Sequence, residues 1–268
     1  LESGEALLSY VLKVFWVALR IGSAWMFFPI LSQRQIPAIV RFTTALTFSV
    51  ALLPSVGPHL PNLEFSNLPS GGVLFLEILK ELTIGIGLGL VAKWMFSTCV
   101  ASAQWIGTQL GFAGGGMVNP DFEFEDSAWT EFHNWIAVMF FLALGGHWFL
   151  LQALRDSYLF DFSNLYARLG DSRVVSGFWV EIGTQFFFWM LKLSGPLVVV
   201  VLLLQAAMGV LSRFVPQINV WMVSIPLTLG IGTFVFTLLS PLYSDALASL
   251  FKSSFEMNYQ WLHVIGVR

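Results

Sequence analysis

Seven apolar stretches run through this chain with little between them: Leu7–Leu31, Phe42–Leu53, Val73–Gln109, Phe132–Leu154, Phe178–Leu211, Val220–Leu239 and Leu242–Val264. A transmembrane helix needs about 20 predominantly apolar residues, and most of these stretches meet that length. Only 11% of the 268 residues are charged, against roughly 25% in soluble domains. Together with 26 Phe and 11 Trp, this points to an integral membrane-type, all-α chain. Leu7–Leu31 is too long for a signal peptide and ends in no small-residue cleavage site, so it reads as a retained helix. Residues 1–268 read as one domain, without an inserted soluble module or an internal repeat.

Prolines and glycines punctuate the pattern. Pro54 is expected to stop Phe42–Leu53 at about half a span, and Pro58, Pro61 and Pro69 to keep the following segment non-helical. Pro196 and Pro226 remove one helical hydrogen bond each and are expected to kink their helices. Gly145-Gly146-His147 interrupts the fourth stretch, as a bend or a close packing point. The last stretch is amphipathic, with Leu247, Leu250, Phe251, Phe255 and Leu262 among Ser, Lys and Glu, and reads as separate from the sixth.

The charges do not sort into a topology. With alternating spans, Arg34 and Arg41 fall on the opposite side from Arg155, Arg168 and Arg173, against the positive-inside rule. Lys13, Arg20, Glu77, Lys80, Glu81, Lys93, Glu181 and Lys192 lie inside the apolar stretches. At mid-bilayer they would oppose insertion by roughly 20 kcal/mol together. Either the positive charges are too few to set an orientation, or several of the apolar helices bury against protein.

The chemistry-bearing patterns are few. A net charge of −3 gives no reason to expect nucleic-acid binding. The single cysteine, Cys99, excludes an intramolecular disulfide and a Cys-based zinc cluster. His59, His133, His147 and His263 are scattered, so no metal site or cofactor is expected. No nucleophile stands in a catalytic pattern, so no enzyme is expected. Glu77, Lys80 and Glu81 stand at i, i+3 and i+4, which places Lys80 opposite Glu77 on one turn. Gly85 and Gly89 form a smooth face for close helix packing. Trp105, Trp129, Trp135 and Trp148 read as interfacial anchors. Residues 107–126, GTQLGFAGGGMVNPDFEFED, form a glycine-rich then acidic loop between two apolar stretches. Irregular backbone at membrane depth survives only where protein buries it or where it lines a water-filled path.

Four patches resemble the FliR family of flagellar export-gate subunits and its counterparts in virulence type III secretion, over residues 15–239. They are Pro29, Pro37, Arg41 and Pro54; Glu81, Gly85, Gly89, Gln104, Gly107, Gln109 and Gly111, ending near Pro120; Gly145-Gly146-His147 with Ser157; and Pro196, Gly209, Arg213, Pro216, Gln217, Asn219, Val220 and Pro226. The last contains an R-x-x-P-Q-x-N-V hairpin, the most specific of the four. Leu227-Thr228 departs from the family's more basic pair. The resemblance implies a fold of kinked helices and hairpins that packs into a hetero-oligomeric helical export gate, with this chain present in one copy.

The resemblance also implies partners and a site. The partners are two other small gate membrane subunits, a further export-switch membrane protein, unfolded secreted substrates and membrane lipid. The location is the bacterial inner membrane, within the flagellar or injectisome basal body. Export is driven by an ATPase and the proton motive force, not by chemistry in this chain. A pore plug falls on Gly111, Phe112, Ala113, Gly114, Gly115, Gly116, Met117, Val118 and Asn119. Subunit packing falls on Glu77, Lys80, Glu81, Gly85, Gly89, Arg213, Pro216, Gln217 and Asn219. The residues alone leave a second reading open, a self-contained secondary transporter or ion channel.

Overall fold

The computed structural model describes residues 2–28, 36–60, 70–112, 128–215 and 220–266. They form helices, with no β-strand among the described residues. In order these are α1 (Glu2–Phe27), α2 (Ala38–Val56), α3 (Gly71–Leu110), α4 (Ala128–Ala143), α5 (Gly146–Asp156), α6 (Leu165–Gly170), α7 (Ser172–Phe214) and α8 (Val220–Ile265). Short 3-10 turns, Gly57–His59 and Ser157–Leu159, follow α2 and α5. Among the described residues four helices are long and apolar enough to cross a membrane, or five where α4 and α5 count as one broken span.

The chain divides into two compact units. The first comprises Leu1–Trp94, Gly145–Ile182 and Ser253–Arg268. Within it, α1 presents Val14, Val17, Ile21 and Ala24 as a buried stripe, spaced by three or four residues as a helix face requires. Ile84, Leu88, Val91 and Ala92 give α3 the matching stripe. On α2 the buried face is Ala45, Ser49, Leu53 and Val56. The Ser49 hydroxyl returns its hydrogen bond to the Ala45 carbonyl at 2.7 Å, so a polar group sits in the core with its donor satisfied. Trp25 and Phe48 meet edge to face at 4.9 Å.

The second unit comprises Met95–Leu144 and Gly183–Lys252. Phe96, Phe141 and Phe251 form a triangle of tilted rings, with centroids 5.3, 6.0 and 5.9 Å apart. Such tilted aromatic contacts add attraction beyond the area they bury. A neighbouring cluster joins Ile106, Leu110, Trp129, Leu197, Val198 and Val201.

Several expected breaks are absent. The second stretch is not half a span: α2 runs through Pro54, and the apolar segment Ala38–His59 has 22 residues. A proline one turn from a helix end forfeits a single bond there, which is too little to end the helix. The sixth and seventh stretches are one helix of 46 residues, continuous through Pro226 and Pro241. Pro241 cannot donate to the Thr237 carbonyl, but the Ser240 hydroxyl does so at 2.9 Å. A side chain thus supplies the donor that proline lacks. Helix α7 carries Pro196 inside it, as the fifth stretch does. Gly145 does break the fourth stretch. Its φ of 72° lies in the left-handed region, and a Cβ there would meet nothing within 4 Å. The glycine serves the backbone turn, not packing.

Candidate functional site

In the first unit, Arg20 of α1 and Glu81 of α3 form a buried ion pair. Arg20 Nε donates to Glu81 Oε2 at 2.6 Å, and Nη2 donates to Oε1 at 2.8 Å. The planar guanidinium matches the two carboxylate oxygens, which makes this the strong form of the interaction. Side-chain exposures of 3% and 5% mean that neither charge could stay here alone. Nη1 donates to Ser157 Oγ at 2.9 Å, and Ser157 passes its own proton to the Leu154 carbonyl at 2.6 Å. The guanidinium lies 3.8 Å above the centre of the Tyr158 ring, whose π-face favours a cation.

The glycines explain how α1 and α3 come close enough for this. A Cβ on Gly85 would collide with the Arg20 carbonyl and the Ser23 hydroxyl, and one on Gly89 with the Ala24 carbonyl and Phe27. The smooth face read from sequence therefore meets α1 of the same chain, and Glu81, one turn earlier, is carried to Arg20. Glu81, Gly85, Gly89 and Ser157 come from two separate sequence patches and gather at one place. Arg20 was missing from both patches. The available signal was charge imbalance: Arg20 has no acidic residue within its own apolar stretch, and Glu81 is left over once Glu77 pairs with Lys80. Glu77 and Lys80 pair with each other on the α3 surface. Lys192, another charge inside an apolar stretch, lies 4.4 Å from the centre of the Trp189 ring.

In the second unit, α3 ends in a glycine cap. Gly111 takes φ 91°. Its N–H bonds the Thr108 carbonyl at 3.2 Å, and the Phe112 N–H bonds the Gly107 carbonyl at 3.0 Å. This reciprocal pair is the Schellman arrangement, which requires a left-handed residue at Gly111. One remaining carbonyl at this end finds a side-chain donor, Gln205 Nε2 reaching the Gln109 oxygen at 3.2 Å. Thr228 Oγ1 sits 3.5 Å from the Leu110 oxygen but donates to the nearer Ser224 carbonyl at 2.9 Å. Thr228, where the sequence departs from the resembled pattern, thus lies against the end of the loop-bearing helix.

Phe112 turns back onto α4, stacking on Trp129 at 5.4 Å with the rings 20° apart. Trp129 also packs on His133 at 4.5 Å and Phe236 at 5.2 Å. At 8% exposure it is a core residue rather than an interfacial anchor: its indole fills the gap between Phe112 and Phe236. Trp135 and Trp148 are 50% and 62% exposed. His133 Nδ1 pairs with the Trp129 carbonyl at 2.9 Å, and its Nε2 has no partner among the described residues.

Of the expected plug residues, Gly111 and Phe112 form this cap; Ala113, Gly114, Gly115, Gly116, Met117, Val118 and Asn119 lie outside the described residues. Arg213 stands in the last turn of α7, where its charge suits the helix dipole. Pro216, Gln217 and Asn219 lie outside the described residues. Among the described residues no three His, Cys, Asp or Glu side chains converge as metal ligands would.

Membrane-length helices, a charge pair shut inside the packing, and a glycine-capped helix end define an all-α membrane protein. The chain belongs to the family of bacterial export proteins, family 1, whose pattern matches residues 11–254. It is similar to the flagellar biosynthetic protein FliR of Escherichia coli K12, 27% identical over 259 residues, or 95% of this chain and 94% of that one. FliR of Aquifex aeolicus is 26% identical over 259 residues, with the same coverage. FliR of Bacillus subtilis is 23% identical over 252 residues, or 94% of this chain and 95% of that one.

Proposed function

We propose that this chain is a subunit of the flagellar type III protein export gate in the bacterial inner membrane, within the basal body. It assembles in one copy with two other small membrane subunits, beside a further export-switch membrane protein. Together they form a channel for unfolded export substrates. Gly111–Asn119 closes that channel, and the chain itself carries out no reaction. Glu77, Lys80, Arg213, Pro216, Gln217 and Asn219 support packing in the assembly, while Glu81, Gly85 and Gly89 act within the chain, by holding α3 against α1.

The observation that carries the reading is the near full-length similarity to relatives named for flagellar biosynthesis. The capped end of α3 adds support, because it delivers the glycine-rich segment from a fixed point. Co-purification tests the assembly. The chain should be recovered with two partner subunits and should aggregate without them. A monodisperse preparation of the chain alone would instead favour a self-contained transporter. Deletion of Gly111–Asn119 tests the plug: small-ion conductance should rise while assembly persists. Unchanged conductance removes the plug assignment.

A further inference from the structure

Helices α7 and α8 each carry a long run without a charge. Residues 193–212, between Lys192 and Arg213, hold none, and neither do residues 220–244, before Asp245. At 1.5 Å per residue the first run is about 30 Å long, the thickness of a bilayer's hydrocarbon core. The helices themselves have 43 and 46 residues, about twice that length. A bilayer therefore takes in only part of each.

In these runs the apolar side chains face outward. Val199, Leu203 and Val210 of α7 are exposed, as are Met222, Phe234 and Leu238 of α8. Exposed polar side chains give donors to backbone carbonyls: Gln205 to Gln109, Thr237 to Thr233 and Ser240 to Thr237. Hydrocarbon requires this of the polar groups it touches. Past Tyr243 the same helix reverses. Asp245, Ser249 and Lys252 are exposed, while Leu247, Leu250 and Phe251 are buried, the pattern of a helix in water. On α7, Lys192 marks the corresponding limit. Its amine lies 4.4 Å from the centre of the Trp189 ring and 5.8 Å from that of Phe188, so the stem carries the charge back from the uncharged run, as a snorkelling lysine does. The two limits fall at one level, because Lys192, Leu242 and Tyr243 line the same small cavity.

We propose that lipid hydrocarbon covers residues 193–212 of α7 and 222–242 of α8, with its boundary crossing both helices at Lys192 and Tyr243. From Asp245 onward α8 stands outside the hydrocarbon. Packing against a further subunit would not demand this pattern. Protein contacts admit a paired charge, as Arg20 and Glu81 show, whereas hydrocarbon excludes charge over its whole thickness. The proposal rests on the membrane class of the chain and not on its place in an export gate.

The test uses the full chain, with whatever subunits co-purify, in phospholipid vesicles. In a Cys99→Ala background, nitroxide labels are attached to Leu203→Cys, Phe234→Cys and Ser249→Cys. Val199→Cys and Leu238→Cys serve where either of the first two lowers yield. Power-saturation spectroscopy measures collisions with oxygen, which concentrates in hydrocarbon, and with a polar nickel chelate, which stays in water. Oxygen should dominate at 203 and 234 and the chelate at 249, so that the preference reverses along α8. Labels on Leu191→Cys and Leu242→Cys should show the two quenchers in balance. Weak collisions with both at 203 and 234 would mean that protein covers the runs, and strong collisions with the chelate there would mean that water does; either result overturns the proposal. Oxygen dominance at 249 overturns the boundary.

Discussion

Arg20 and Glu81 are 61 positions apart in the chain and meet through two hydrogen bonds of 2.6 and 2.8 Å, both side chains buried. Removing one partner leaves the other as an uncompensated buried charge, which costs about 3–5 kcal/mol. Glu81→Ala should therefore lower the yield of assembled complex while leaving the conductance of what does assemble unchanged. The double change Arg20→Met with Glu81→Leu should recover much of the loss, since a well-packed apolar pair is often neutral in such a place. Complex yield by size exclusion, followed by bilayer recordings, checks both. Full yield with altered conductance in Glu81→Ala would assign the pair to the pore instead.

The glycine approach beside this pair makes a separate prediction. Gly85→Ala places a methyl group against the Arg20 carbonyl and Ser23, and backbone cannot give way as a side-chain tip can. Overpacking of this kind costs about 1–3 kcal/mol. Gly22→Ala on α1, where a Cβ meets nothing within 4 Å, should be neutral or slightly stabilising through helix propensity. The two melting temperatures in the same detergent decide it: equal values would contradict the close approach.

At the end of α3, Gly111→Ala forces a side chain into φ 91°, a strain of about 1–3 kcal/mol. Phe112→Ala removes the stack on Trp129. A double-mutant cycle between Phe112 and Trp129 should show a coupling of about 0.5–1.5 kcal/mol. In the assembled channel, both single variants at 111 and 112 should raise resting conductance by less than deletion of Gly111–Asn119 does. A larger rise than the deletion gives would mean that the cap, rather than the segment beyond it, holds the channel shut.

Asp161 supplies the pH-dependent prediction. The Ser163 amide donates to its carboxylate at 2.9 Å and the Ser163 hydroxyl at 3.0 Å; these bonds hold its carboxyl below the usual aspartate range. A depressed folded value gives stabilisation that is present above the unfolded value, about 3.9, and is lost as pH falls through the folded one. Ser163→Ala should raise the Asp161 pKa toward the ordinary value, read by NMR titration of the carboxyl carbon. The backbone amide, the larger cause, stays in place in this variant, so an unchanged titration would show that the Ser163 hydroxyl adds nothing to it.

Much of the architecture was legible because helical membrane proteins write their elements locally. The length of α3, the pairing of Glu77 with Lys80 and the break at Gly145 all follow from spacing within a few residues. Pro54 misled because a proline removes one bond, and whether a helix survives that depends on its position; the sixth and seventh stretches join because the Ser240 hydroxyl supplies a donor at their seam. Trp129 misled for another reason. An indole at a helix end suits an interface or a core equally, and only Phe112 and Phe236 decide which.

The sequence by itself determined the class of protein: apolar stretches of membrane length, too few charges for a soluble surface, and family patches along most of the chain. The tertiary structure decided what the stranded charges and the glycines do. Periodicity says which face of a helix is smooth or polar, but not which face of which other helix it meets. Arg20 finds Glu81 only because Gly85 and Gly89 let two backbones touch, and the end of α3 is held only because Gln205 and Trp129 arrive from distant parts of the chain.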